Sequence, residues 1–399
     1  MKDIVIVAPC RTAVGKMGGT LRPVPAVDLA RVVLEGTLSR SGIDPELVDE
    51  VVMGHCRQSS DDPNIARVAA LRAGVSERAS AHTVMRQCAS GMTAVQNGAM
   101  SIMCGLNDVV LAGGTESMSN AIFYLRNARY GVGTGNTTLV DSVTEVQFCS
   151  QPQEIYGRFN MGMTAENVAE KMGITRQEQD AFALLSQEKA HAAIEAGRFK
   201  AETVPVYVPQ RKGDPICFEV DEFPRQTSME KLAKLPTVFR ENGTVTAGNA
   251  SGRNDGASAL LLTSADKAAD LGLKPMARII GMGASGIDPR IMGLGPIEAS
   301  AKALRNAGIT MDDIGLVELN EAFAAQSIGC IREMGLENRM DIVNVNGGAI
   351  ALGHPVGSSG CRIIVTLVHE MQRRGVRYGL ATLCIAGGMG QATVVELCD

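Results

Sequence analysis

The chain repeats itself. Residues 41–54 resemble residues 307–320, and pairing Ile43 with Ile309 sets an offset of 266 (309 − 43). Ser90-Gly91 opens a helix-like run ending near Gly105, followed by a strand-like run from Asp108 to Ala112 and a turn at Gly113-Gly114. In the second half, Ser359-Gly360 lies in a helical run that stops at Gly375. The strand and glycine turn then recur from Gly379 to Gly388. The offsets there are 269 (359 − 90) and 274 (386 − 112), a slow drift of the kind that short loop insertions produce. Each copy alternates short Val/Ile-rich runs with amphipathic helices, which predicts buried, mostly parallel strands with helical crossovers.

Five strands are expected in each copy, at 3–8, 48–54, 82–86, 108–113 and 257–263, then at 276–282, 313–319, 342–346, 379–385 and 391–397. The segment 120–245 differs: it has helical stretches at 163–172 and 175–196 and polar, proline-dotted loops. We read residues 1–119 and 246–270 as the first half, 120–245 as an insertion covering a site, and 271–399 as the second half.

Composition narrows the function. With 399 residues, a net charge of −5 and 20% charged residues, nothing suggests nucleic-acid binding. No apolar run approaches the roughly 20 residues needed to span a membrane. The start, Met1 to Ala8, reads as a first strand and not as a secretion signal, so the ten cysteines are expected as reduced thiols in a cytoplasm. No CxxC or HExxH spacing is present, and no metal site is expected.

Two of those cysteines stand out. Cys88 precedes the helix-like run from Gly91 to Met103, whose N-terminal N–H groups favour a thiolate and lower its pKa. A buried structural cysteine is the alternative. Cys384 ends a strand beside Gly387-Gly388. His354 precedes Pro355 and a helix that ends in Arg373-Arg374 and Gly375, so it too sits at a helix start, where its pKa falls and it can accept a proton. The spacing 354 − 88 is again 266, which aims two such helix ends at one cleft. Packing alone could also hold this histidine. Asn320 follows a strand, where its amide can orient a water or an oxyanion, or cap a helix. Gly281-Met282-Gly283-Ala284-Ser285-Gly286 fits the dinucleotide pattern GxGxxG, but loop and not helix follows it, which argues against a nucleotide site.

Taken together, Ala112 to Ser119, Gly248-Asn249-Ala250-Ser251-Gly252, Asn320-Glu321-Ala322-Phe323 and Gly347 to Pro355, with Cys88 and Cys384, resemble the thiolase family over essentially the whole length. The resemblance implies two α/β halves packed face to face, with a loop domain inserted in the first for coenzyme A binding and oligomerisation. It implies an acetyl-CoA C-acetyltransferase that joins two acetyl-CoA into acetoacetyl-CoA and CoA, reversibly and by ping-pong kinetics through acyl-Cys88. In that reading His354 activates Cys88, and Cys384 moves the proton of the second thioester. Asn320, through a water, and His354 hold the enolate oxygen; the backbone N–H groups of Cys88 and Ala386 hold the second oxyanion. Arg225 and Ser251 contact coenzyme A, and Met161, Met292 and Phe323 line the acyl pocket. CoA thioesters are substrates, and no cofactor is implied. The partners implied are acetyl-CoA, acetoacetyl-CoA and CoA, with neither nucleic acid nor membrane, and a homo-oligomer, tetramer or dimer, with Arg126 and Arg129 on the tetramerisation loop.

Three positions depart from the family pattern. Met85 stands where many members have Asn, Ala386 where Gly is frequent, and Asn160 where acetoacetyl-specific members carry His. The last leaves a broad-range 3-ketoacyl-CoA thiolase of fatty-acid breakdown as an alternative; a catalytically silent CoA-binding protein is a third. Two thiols in one cleft also raise a link between Cys88 and Cys384 on mild oxidation.

Overall fold

The computed structural model describes residues 2–398. The first copy contributes β1 (Ile4–Thr12), β2 (Glu50–Gly54), β3 (Ser80–Val84), β4 (Val109–Ser117) and β5 (Asn254–Ser264). The second contributes β6 (Ala277–Gly286), β7 (Leu316–Leu319), β8 (Tyr378–Ile385) and β9 (Met389–Leu397). The principal helices are α1 (Ala26–Ser41), α2 (Ser90–Met103), α3 (Met161–Met172), α4 (Arg176–Glu195), α5 (Gly295–Ala307), α6 (Ala324–Glu333) and α7 (Val356–Arg374). None of the described helices is long and apolar enough to cross a membrane.

The strands run in the order β7-β8-β9-β6-β1-β5-β4-β2-β3. Parallel pairs lie toward the outer part of each copy (β2 with β3 and β4, β7 with β8), and antiparallel pairs lie between them. The two copies share one continuous sheet, because β1 pairs antiparallel with β6, Ile4 opposite Ile279 and Ile6 opposite Ala277. Every residue of β4 and β5 is buried, as expected of strands covered on both faces.

Between the two halves lie α2 and α7, one from each copy, packed against each other. Ile4 and Ile6 of β1, Val95 and Ile102 of α2, Ile363 and Val365 of α7 and Leu383 of β8 share one apolar cluster. The helices can meet because each carries glycine at the crossing. A Cβ on Gly91 would lie 2.9 Å from Cys361 N, and one on Gly360 would lie 2.5 Å from Met92 N. These glycines are 269 apart (360 − 91), the same spacing as Ser90 and Ser359. The repeat read in the sequence is thus a pair of equivalent helix starts brought into contact.

Helices expected at 163–172 and 175–196 occur as α3 and α4. Asn160 caps the first through Met163 N (3.0 Å), and a Thr175–Glu178 capping box starts the second. The strand expected at 342–346 is reduced to a single bridge, Val317 to Val343. Asn344 turns into the left-handed region (φ 42°), and its side-chain amide takes over the pairing, accepting from Leu319 N (2.9 Å) and donating to Leu319 O (2.8 Å). The glycines of the GxGxxG stretch sit inside β6. Gly281 and Gly283 let α5 approach: a Cβ on either would lie 2.2 Å from a carbonyl of Ala303 or Ala299.

Candidate active site

Cys88 sits in the turn before α2. Gln87 is held at φ 46°, a strained value for a residue with a side chain. Ser90 fixes that turn: its Oγ donates to Gln87 O (2.7 Å) and accepts from Arg86 N (2.9 Å). The sequence predicts a lowered thiol pKa here, but the structure reverses the sign. Burial raises it, outweighing the N–H of Ala386, the nearby Arg57 charge and the thiol's own N–H, which all favour the thiolate.

His354 lines the same cavity of about 190 Å³ as Cys88 and Ala386. Its Nδ1 is 2.6 Å from Ser359 Oγ, and that hydroxyl donates its one proton to Pro355 O (2.9 Å). The hydroxyl must therefore accept from the imidazole, so Nδ1 carries the hydrogen and Nε2 offers a lone pair. Nε2 is buried and has no protein partner. Burial, and then the nearby Arg362 guanidinium, lower the pKa of His354 to about 4. The direction matches the sequence expectation, but the main cause is desolvation. At neutral pH the Cys88 thiol and the His354 imidazole that line this cavity are both neutral.

Cys384, at the end of β8, is fully buried in an apolar cluster with Met292, Ala322 and Phe323, against which Met161 packs. Burial, and then the facing Cys88 and Cys330, push its thiol pKa well up. Cys88 and Cys384 are both free thiols. Asn320 is 0% exposed, and both polar atoms of its amide lack partners. It caps no helix, since α6 starts after Phe323, so its amide is uncommitted.

Met161, Met292 and Phe323 all line the cavity, with Phe239 edge-on to Phe323 at 6.3 Å. Val143, Val146, Gln147 and Ser150 form another wall. Ser251 lies in the lining, but Arg225 does not: its guanidinium donates to Ala247 O (2.7 Å) and stands 5.7 Å from the Phe223 ring centre. Asn160 also stays out of the lining, its side chain spent as a helix cap. Met85 is 56% exposed.

Several residues at the site were not singled out from the sequence. Glu116, fully buried, accepts from Cys56 N (3.2 Å), Arg57 N (3.1 Å) and Gly357 N (3.1 Å), and faces His55 at 3.2 Å. Burial would raise its pKa, but His55 and Arg57 hold it below the ordinary carboxylate range. It ties the loop after β2 to the start of α7, and so positions the two copies about Cys88 and His354. Its place in the motif Ala112 to Ser119 was the available signal. Ser359 was readable as the repeat partner of Ser90. Arg57 and Arg362 carry no local pattern that marks them.

The chain matches "Thiolase, N-terminal domain" over residues 4–266 and "Thiolase, C-terminal domain" over residues 273–397. It is similar to an acetyl-CoA acetyltransferase of Chromobacterium violaceum, 51% identical over 395 residues that cover 99% of each chain. Its fold is similar to the crystal structure of the Bacillus anthracis acetyl-CoA acetyltransferase, with TM-score 0.96, 44% identity and coverage of 100% of this chain and 99% of that one. It is similar as well to human mitochondrial 3-ketoacyl-CoA thiolase in complex with CoA, with TM-score 0.94, 43% identity and coverage of 100% and 98%.

Proposed function

The chain belongs to the thiolase family of acyltransferases, and we propose that it is an acetyl-CoA C-acetyltransferase that condenses two acetyl-CoA to acetoacetyl-CoA and CoA and runs the cleavage in reverse. The observation that carries this reading is the single cavity where the Cys88 thiol, the unpartnered Nε2 of His354 and the N–H of Ala386 meet.

In the proposed first step, Nε2 of His354 takes the thiol proton as the Cys88 sulfur attacks the acetyl carbonyl. The N–H groups of Cys88 and Ala386 stabilise the tetrahedral oxyanion, whose collapse releases CoA and leaves acetyl-Cys88. The departing CoA thiolate takes the proton of Cys384, and the Cys384 thiolate left behind then takes the α-proton of a second acetyl-CoA. The enolate oxygen is met by protonated His354 and by a water on Asn320; the enolate carbon attacks the acetyl-enzyme and expels the Cys88 thiolate, which takes its proton back from His354. A high resting thiol pKa for Cys384 suits this step, because a weakly acidic thiol makes a strongly basic thiolate. Ser251 contacts coenzyme A in this reading, with Arg225 nearer the nucleotide end, and no cofactor takes part. We further infer a homo-oligomer acting in the cytoplasm; exposed Phe123, Tyr130 and Leu139, on the loop bearing Arg126 and Arg129, support a subunit contact.

Incubation with acetyl-CoA should add one acetyl group to Cys88 by peptide mass spectrometry. Acetoacetyl-CoA should be cleaved with a higher kcat/KM than longer 3-ketoacyl-CoA thioesters of unbranched, methyl-terminated chains. The reverse ranking would favour the broad-range reading instead.

A further inference from the structure

Arg57 follows β2 and lines the cavity that holds Cys88, among Met118, Val143, Val146 and Val356. Its Nε is buried and has no hydrogen-bond partner, and no carboxylate pairs with its guanidinium among the described residues. Glu116 is the nearby acid, but both its oxygens are occupied by backbone N–H groups and His55. The contrast with Arg11 is direct: that buried guanidinium is gripped by Asp221 and Glu202, with Asp221 bonding two of its nitrogens at 2.7 and 2.9 Å. Arg57 is half-buried, with its Nε shielded from water, and an Arg–carboxylate pair gains strength as water is excluded.

An acetyl or acetoacetyl group ends in a methyl and gives this cation nothing to bind. The phosphates of coenzyme A are separated from its sulfur by the whole pantetheine arm, so they do not reach a residue in the wall beside Cys88. The geometry points to an acyl-carboxylate subsite: Arg57 receives the far end of an acyl chain that terminates in a carboxylate, so the enzyme also takes CoA thioesters of dicarboxylic acids. This rests on the thiolase reading above. The bonds made and broken are unchanged. Attack by Cys88 at the 3-oxo carbon breaks the C2–C3 bond, the two-carbon enolate leaves as acetyl-CoA after protonation by Cys384, and the distal acyl group stays on Cys88. The terminal carboxylate stays with that distal group, beside Arg57, and takes no part in the chemistry.

The test compares CoA-dependent cleavage of two six-carbon 3-oxoacyl-CoA thioesters, one ending in carboxylate and one in methyl, with acetoacetyl-CoA as reference. Wild type should prefer the carboxylate-ended substrate by about tenfold or more in kcat/KM, Arg57→Met should bring that ratio below one, and Arg57→Lys should keep it above one. The wild-type ratio needs no variant, so a misfolded variant leaves the test intact. A wild-type ratio of one or less, with acetoacetyl-CoA still cleaved, overturns the subsite and leaves the thiolase reading standing. Equal loss on both substrates in Arg57→Met, with the rate profile moved to higher pH, also overturns it and gives the guanidinium to the Cys88 thiol. Cleavage of none of the three thioesters by wild type sinks both readings.

Discussion

Ser359 Oγ, 2.6 Å from His354 Nδ1, engages that nitrogen and leaves Nε2 as the unpartnered one, on a ring that lines the same cavity as Cys88. The hydroxyl can only accept, because its proton goes to Pro355 O. Ser359→Ala removes the lock on the tautomer and leaves the ring free to present Nε2–H. Acetylation of Cys88 by acetyl-CoA, followed in a single turnover, should slow by about tenfold or more. Ser359→Thr keeps the hydroxyl and should recover most of the rate, an effect that a purely structural role would not produce.

The protonation of His354 also couples to folding. Its native pKa of about 4 lies below the ordinary value of 6.5. Between these values the unfolded chain binds a proton that the native state refuses, so this residue makes stability fall as pH drops from about 6.5 toward 4. The slope contributed is at most about 1.4 kcal/mol per pH unit. Urea unfolding at several pH values, on wild type and His354→Asn, should show a shallower decline in the variant. Parallel curves would contradict a neutral buried imidazole.

The two thiols should separate by variant. Cys88→Ser should show no mass gain with acetyl-CoA. Cys384→Ala should still acetylate Cys88, while its turnover falls by about a thousandfold. An acetyl group found on Cys384 in the Cys88 variant would overturn the assignment of roles.

The crossing of α2 and α7 has almost no slack. Gly360→Ala places a Cβ 2.5 Å from Met92 N, a backbone atom that cannot swing aside. We expect a loss of about 2 to 3 kcal/mol in urea unfolding and a fall in kcat of tenfold or more, from a displacement of His354 relative to Cys88. Far-ultraviolet circular dichroism should stay near wild type, since the helices themselves are untouched.

The fold was largely legible in the sequence because its strongest signals are local. Buried strands announce themselves as Val/Ile runs, and the end of α7 by Arg373, Arg374 and Gly375. The candidate site was legible where motifs carry it: Cys88, His354, Met161, Met292 and Phe323 line one cavity, with Cys384 packed behind it. What escaped was the balance of opposing effects. A helix start lowers a thiol pKa and burial raises it, and only a structure says which is larger at Cys88. The strand expected at 342–346 failed for a related reason, since a side chain of Asn344 substitutes for backbone pairing. Arg57 escaped because an arginine is ordinary in a loop; its meaning comes from the carboxylate it lacks.

The equivalence of α2 and α7 has a consequence for what each copy can do alone. By the 269-residue spacing, Cys88 corresponds to Gly357 (357 − 88) and His354 to Met85 (354 − 85). A side chain at Gly357 would strike Thr115 O at 2.4 Å, while Met85 is exposed. The pseudo-dyad is therefore broken where chemistry happens: one copy holds a nucleophile with no base, the other a base with no nucleophile. Expressed separately, the halves should be inert toward acetyl-CoA, and activity regained on mixing would count reassembled molecules. Acyl transfer in this chain is in effect a proximity sensor for its own two copies.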